Sequence, residues 1–302
     1  MWLRQLAKAA RHLNGATPPE LATLEMRKCF KRIRALLRLL RPAMAKSEWS
    51  RETTRYRDLG RRLAASRDRA VLVETLDRLA TLRQLDRDKS VVAVRKCLVD
   101  QRDRQIELDS AGKGDPRAAM ARDLAAAKAA AERVSFTGLT RHKVVGAYAD
   151  TYGVGREEMA ACYLVGDDDE LFHDWRKRVQ HHWRQSALLV DIWPDTMVVR
   201  VDAARKASKA LGLDHDLSLL RQHLKRIDTE VLSKGERRQL KGVIRQLQAQ
   251  LRDIAEPLAA WLYAIEPEAL ENQANDWWEA ANLAADCDMF LLETAERATS
   301  SH

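Results

Sequence analysis

Arg27-Lys28-Cys29-Phe30-Lys31-Arg32-Ile33-Arg34-Ala35-Leu36-Leu37-Arg38-Leu39-Leu40-Arg41, followed at once by Pro42, is the stretch from which the rest of this chain reads. It holds seven basic residues and no acidic one. At 100° per residue, Met26, Phe30, Ile33, Leu37 and Leu40 form an apolar stripe, the pattern of an amphipathic helix packed on a core. Arg27, Lys31, Arg34, Arg38 and Arg41 fall on one narrow face about a quarter-turn away. A merely solvated face lies opposite the core and mixes both signs of charge. Here one sign lies beside the core, so the cations are expected to line a groove between packed helices. Like charges four residues apart repel. The row therefore needs counter-charge: acids from other helices, with Asp58, Asp68 and Asp216 as candidates, or a bound polyanion.

Working outward, Thr17-Pro18-Pro19-Glu20 reads as an N-cap, prolines in the first turn and a capping-box glutamate. The helix they open should stop near Pro42. Helical periodicity continues over about 48–65, 67–86, 89–110 and 116–134, then about 141–151 and 155–165. Breaks fall at Gly112-Lys113-Gly114-Asp115-Pro116 and from Ser135 to Thr140. Gly166-Asp167-Asp168-Asp169-Glu170 suits a helix N-terminus, where the macrodipole favours negative charge. A second long helix should run from there to about Trp193, before Pro194, with four or five more filling 196–300. No strand pattern emerges.

The two halves look alike. Arg176-Lys177-x-x-Gln180-His181-x-x-Arg184, in a helix ending before Pro194, parallels the opening stretch. Leu63-Ala-Ala-Ser-Arg67-Asp68 parallels Leu211-Gly-Leu-Asp-His215-Asp216 at nearly the same offset. The expected fold is all-α, a helical bundle of two related four-helix-like halves about a pseudo-twofold axis. One domain would cover residues 1–302, with halves at about 17–150 and 155–300. The second copy is weaker, because Lys31, Arg34 and Arg38 correspond to Gln180, Trp183 and Ala187. Lys206 and Lys209 add charge where the first half has Arg57, Arg61 and Arg62.

Composition agrees. The chain has 302 residues, 46% hydrophobic and 32% charged, enough to bury a real core. Gly and Pro are scarce, which favours helices. The net charge of +8 and pI near 9.4 point to an acidic partner such as nucleic acid, anionic lipid or a phosphate polymer. Cys29, Cys97, Cys162 and Cys287 form no Cys-x-x-Cys pair, which fits a reduced, cytoplasmic setting. MWLRQLAKAARHLNG lacks the apolar centre of a signal peptide, and no stretch approaches a membrane span.

The pattern resembles the CHAD family, the conserved-histidine α-helical domain. The resemblance rests on His173-Asp-Trp-Arg176-Lys177 with Leu211-Gly212-Leu-Asp-His215-Asp216-Leu217, and on Arg27-Lys28-Cys-Phe-Lys31-Arg32-Ile-Arg34 with Arg67-Asp68. It covers about residues 20–290. Leu24 stands where the family has its first-half histidine, so a role needing both histidines is not expected, while a cationic role survives. The resemblance implies two helical halves with a basic surface between them, inorganic polyphosphate as the ligand, and for some members association with polyphosphate granules. The Glu-x-Glu-x-Lys signature of the CYTH triphosphate-processing domain, to which members are sometimes fused, is absent. Stripe and resemblance together place the polyphosphate site on Arg27, Lys28, Lys31, Arg32, Arg34, Arg38, Arg61, Arg62 and Arg67 in the first half. In the second they place it on His173, Arg176, Lys177, His181, Arg184, Lys206, Lys209 and His215. No cofactor, metal ligand or catalytic residue is expected.

Two other readings share part of this pattern. His215-Asp216 is similar to the dipeptide of HD metal phosphohydrolases, but no histidine partner precedes it at matching spacing, and His181 and His182 point about 100° apart. A nucleic-acid binder shares the electrostatics, but no helix-turn-helix, zinc or RNA-recognition motif is visible. Trp175 and Trp183 could stack bases, though tryptophans on an apolar flank are usually core. Trp277-Trp278 could serve a partner surface, with core packing the simpler expectation.

Overall fold

The computed structural model describes residues 1–15, 17–63, 65–110 and 115–299, excluding the side chains of 19–20, 65–68, 109–110 and 286–299. It is 87% helical, with no strand among the described residues. The α-helices are α1 Trp2–Asn14, α2 Pro19–Leu40, α3 Lys46–Arg62, α4 Ala65–Arg83, α5 Lys89–Ser110, α6 Pro116–Arg133, α7 Arg141–Val165, α8 Asp169–Leu188, α9 Pro194–His223, α10 Lys234–Leu262 and α11 Pro267–Thr299.

The helix starts follow local chemistry. Asp115, Thr140 and Asp168 accept from backbone N–H groups in the first turns of α6, α7 and α8. Ser233 and Glu236 close a reciprocal capping box on α10. Each such cap stabilises by about 1 kcal/mol.

Several expected boundaries differ. The N-cap of α2 is Pro18, not Thr17, with no side-chain cap bond, and the Glu20 side chain lies outside the described residues. The break at 112–114 also lies outside them. The runs at 141–151 and 155–165 are one helix, α7. The glycines at this junction serve packing rather than a turn: a Cβ on Gly153 would stand 3.3 Å from the Pro267 ring, and one on Gly155 2.4 Å from the Tyr263 hydroxyl. The second long helix stops at Leu188 and gives way to a 3-10 turn over Val190–Ile192. Pro194 then opens α9, where a missing N–H costs nothing. Three α-helices, each at least 29 residues long, account for most of the chain beyond it, instead of four or five. The N-terminal stretch is itself a helix, α1, which buries Trp2, Leu6, Ala9 and Leu13.

Two apolar clusters hold the fold. The smaller joins α1, α2, α3 and α6 through Trp2, Phe30, Ile33, Leu37, Tyr56 and Leu124. The Trp2 indole donates to the Tyr56 hydroxyl at 2.7 Å. The larger gathers α4, α5 and α7–α11, and Leu39 of α2 belongs to it. Thus α2 feeds one core through Ile33 and Leu37 and the other through Leu39. It packs on α1 and α3 on one side and on α7 and α8 on the other. Trp175 is fully buried, and Trp277 and Trp278 pack against the larger cluster.

A buried ionic seam ties α8, α9 and α10 together. Arg252, 6% exposed, donates to Asp167 at 2.6 Å, Asp169 at 2.8 Å and Asp214 at 3.0 Å. Its guanidinium also lies over Phe172, 4.2 Å from the ring centre. Asp214, from the Leu-Gly-x-Asp-His-Asp element, is therefore spent on structure.

Candidate functional site

The row on α2 is half-buried, as its position beside the apolar stripe demands: Arg27, Lys31, Arg34 and Arg38 are all partly covered. What covers them carries charge of the same sign. Lys31 lies in the field of Arg184 and Arg176 of α8, Arg38 in that of Arg178, and His181 in those of Arg38 and Arg34. Arg184 in turn feels Arg32, and Arg34 feels Arg57 and Arg61 of α3. The cations of α2 and α8 thus face each other across one groove.

The proton equilibria record the crowding. Burial first, then Arg184, Arg176 and Arg27, pull the Lys31 amine down to about 7, against the opposing pull of Asp216. Burial and Arg178 bring Arg38 down to about 10; burial and Arg32 do the same to Arg184. His181 is held well below its ordinary range by burial and by the arginines around it.

Counter-charge is short. Asp58 pairs with Arg57 at 3.0 Å and lies 3.8 Å from Arg61, both on its own helix. The Asp68 side chain lies outside the described residues. Asp216 does face Arg176, Arg78 and Lys31, but burial pushes its carboxyl up, toward the neutral form. Several buried polar atoms find no protein partner: Nε of Arg34 and Arg176, and Nδ1 of His173 and His181. Buried polar groups are normally paired, and an unpaired one costs about 1–3 kcal/mol.

Where α2 ends, the groove opens into a cavity of about 480 Å³ whose lining includes Arg38, Arg41, Trp49, Arg178 and His181, with Asp150 as its one acid. Trp49 is fixed there by its indole N–H on the Leu37 carbonyl at 2.9 Å, with Arg41 5.1 Å from the ring centre. Further along α8, His173 and His215 stack at 4.0 Å between ring centres. Burial, then Arg176 and His173, takes His215 down to about 3, so it is neutral at physiological pH. Among the described residues no three of His, Cys, Asp and Glu converge as metal ligands. His182 turns inward and stacks on Tyr148 at 4.8 Å.

Not every expected residue joins the rows. Lys28 is exposed and bound to Glu25 at 2.6 Å, beside Lys8 of α1. Lys177 bridges to Asp174 at 2.6 Å. Arg62 is engaged by Asp123 of α6, and Arg61 stands exposed on the rim near Arg34. Lys206 pairs with Asp202 of its own helix at 2.7 Å, and Lys209 is exposed. The Arg67 side chain lies outside the described residues.

Two cations went unmarked by periodicity. Arg178 lies off the second row, bonded to Glu158 of α7 at 2.8 Å, yet it faces Arg38. Arg78 of α4 reaches Asp216. Neither carries a spacing signal, because each reaches the groove from a different helix face or a different helix.

The family model for the CHAD domain matches residues 1–225. Among solved structures, PptA from Streptomyces chartreusis is similar, with a TM-score of 0.53 and 16% sequence identity over 87% of this chain and 95% of that one, a likeness of fold. No curated protein matches. No helix is long and apolar enough to cross a membrane, among the described residues.

Proposed function

We propose that this chain, which belongs to the CHAD-domain family, binds inorganic polyphosphate along the groove between α2 and α8. The observation that carries this reading is the meeting of two half-buried cationic rows whose donors at Arg34 Nε and Arg176 Nε have no protein partner. A core builds such a cluster at a cost; a linear polyanion offsets it. Polyphosphate has no bases to stack or read, so spaced cations suffice. Arginine can fork onto two phosphate oxygens while lysine acts as a point charge. An α-helix repeats its face every 5.4 Å, so a row presents cations at intervals along an extended polymer. In this reading Arg27, Lys31, Arg34 and Arg38 grip one side and Arg176, Arg178 and Arg184 the other. Neutral His173, His181 and His215 supply hydrogen bonds.

The protein acts as a binder rather than an enzyme, and association with granules follows from binding. A polyphosphate titration at several salt concentrations tests this. Affinity should fall steeply with salt through counterion release. It should also drop at least tenfold in Lys31→Glu/Arg34→Glu, while Gln180→Ala stays within twofold. Equal affinity of the reversed and parent proteins, with unchanged circular dichroism, would remove the groove as the site.

A further inference from the structure

The α2–α8 groove does not use all of the clustered positive charge. On α10, Arg237, Lys241 and Arg245 recur every four residues and share one face. The same face continues inward to Gln248 and Arg252 of the buried seam. At that inner end the cation is answered by Asp167, Asp169 and Asp214. At the outer end it is not. Arg221 from the end of α9, and Lys225 from the 3-10 turn Leu224–Arg226, come across to meet Lys241 and Arg245. These four cations, with Gln222, line a cavity of about 180 Å³.

The one acid in the cavity is Asp169, and it is already engaged: Ser218, Arg221, Gln248 and Arg252 all donate to it. Among the described residues no carboxylate pairs with Lys225, Lys241 or Arg245. The Lys241 amine is pushed down by partial burial and by Lys225, Arg237, Arg245 and Arg221. Arg237 contributes charge only, since its Nη2 donates to the carbonyls of Ile227 and Leu232. The cavity lies at the N-terminal end of α8, and Asp169 is about 10 Å along that helix from Arg176.

We propose that this α9–α10 cleft is a second anion site, which takes a short oligophosphate the size of pyrophosphate or tripolyphosphate. Four converging cations match a compact anion of several charges, and the volume suits a few tetrahedral groups rather than a long ligand. The same chemistry has two sources: a free short oligophosphate, or a segment of a long chain. The second source rests on the groove reading above; the cleft itself does not.

The test titrates tripolyphosphate into the full chain carrying Lys31→Glu/Arg34→Glu, which silences the groove. One site should remain, and adding Lys225→Gln/Lys241→Gln should weaken it at least tenfold. Neither side chain makes a hydrogen bond or ion pair among the described residues, so the fold should hold, with circular dichroism as the check. No residual site, or one indifferent to Lys225→Gln/Lys241→Gln, overturns the cleft. Failure of the groove reading looks different: long-chain affinity would be unchanged by Lys31→Glu/Arg34→Glu. Light scattering of long polyphosphate with otherwise native protein then identifies the source. Loss of cross-linked particles in Lys225→Gln/Lys241→Gln supports a chain segment. Unchanged scattering alongside lost tripolyphosphate binding supports a free anion.

Discussion

Replacing Lys31 with methionine is expected to stabilise the empty protein and weaken its hold on polyphosphate. Methionine keeps the length and helix propensity of the side chain and removes its charge. The groups facing this amine are Arg27 on its own helix, Arg176 and Arg184 on α8, and Asp216 on α9. Together with burial they bring it from 10.5 to about 7. At 1.36 kcal/mol per pH unit, holding the charge costs the folded state at most about 5 kcal/mol; solvent screening reduces the measurable gain to about 1–2 kcal/mol. The folded value lies below the unfolded one, so between about pH 7 and 10.5 the unfolded chain binds more protons, and stability from this residue rises with pH. Lys31→Met should therefore gain most near pH 6 and nothing above pH 10.5, as read by urea denaturation across that range. On the ligand side, about one empty groove in ten carries a charged Lys31 at pH 8. A phosphate beside the amine restores its proton. Calorimetry in buffers of different ionisation enthalpy should show close to one more proton taken up by the parent protein than by Lys31→Met at pH 8. That difference should vanish at pH 5.5. Lys31→Arg, charged throughout, should flatten the pH dependence of binding. Equal proton uptake and equal affinity for parent and Lys31→Met at pH 8 would refute the placement of this amine against the ligand.

The seam and the packing glycine give further expectations. Arg252→Met leaves Asp214 buried without its cation, while Asp169 keeps Arg221, and should cost about 3–5 kcal/mol in urea unfolding. Gly155→Ala drives a Cβ toward the Tyr263 hydroxyl and should cost about 1–3 kcal/mol; in a Tyr263→Phe background part of that loss should disappear, since the ring carbons stay close, a coupling read by thermal melts. Incubation with Mg²⁺ or Mn²⁺ should leave polyphosphate chain length unchanged on gels, and release of phosphate would revive the reading based on His215-Asp216.

Much of the helical architecture was legible because apolar spacing at 3.6 residues is strong in Met26, Phe30, Ile33 and Leu37, and all four are buried. The row beside them was legible for the same reason. The element ends were less so. The interval between 151 and 155, with Gly153 in it, reads as a break because glycine disfavours helices, yet the helix runs on, and a tyrosine from near the end of α10 needs the space above neighbouring Gly155. Trp2, Leu6, Ala9 and Leu13 form a buried face with helical spacing, which the frequent charges of the segment obscure. The opposition of α2 and α8 was not visible in either helix alone, since it depends on how the two pack. Neither was the fate of Asp214, whose partner Arg252 lies 38 residues further on. His181 and His182 were expected to diverge, and they do, one toward the cations and the other into a nest of tyrosines.

The placement of α2, with Leu37 in one core and Leu39 in the other, has a mechanical consequence. The groove floor is a shared wall between two apolar bodies, and the repulsion stored along it acts across that wall. An empty groove leaves that repulsion unanswered between the two cores. In the proposed reading, a bound polyanion would turn the same wall into a clasp, drawing α2 and α8 inward from a common thread of negative charge. Amide exchange should accordingly slow most in α2 and α8 when the groove fills, and thermal unfolding should become more cooperative.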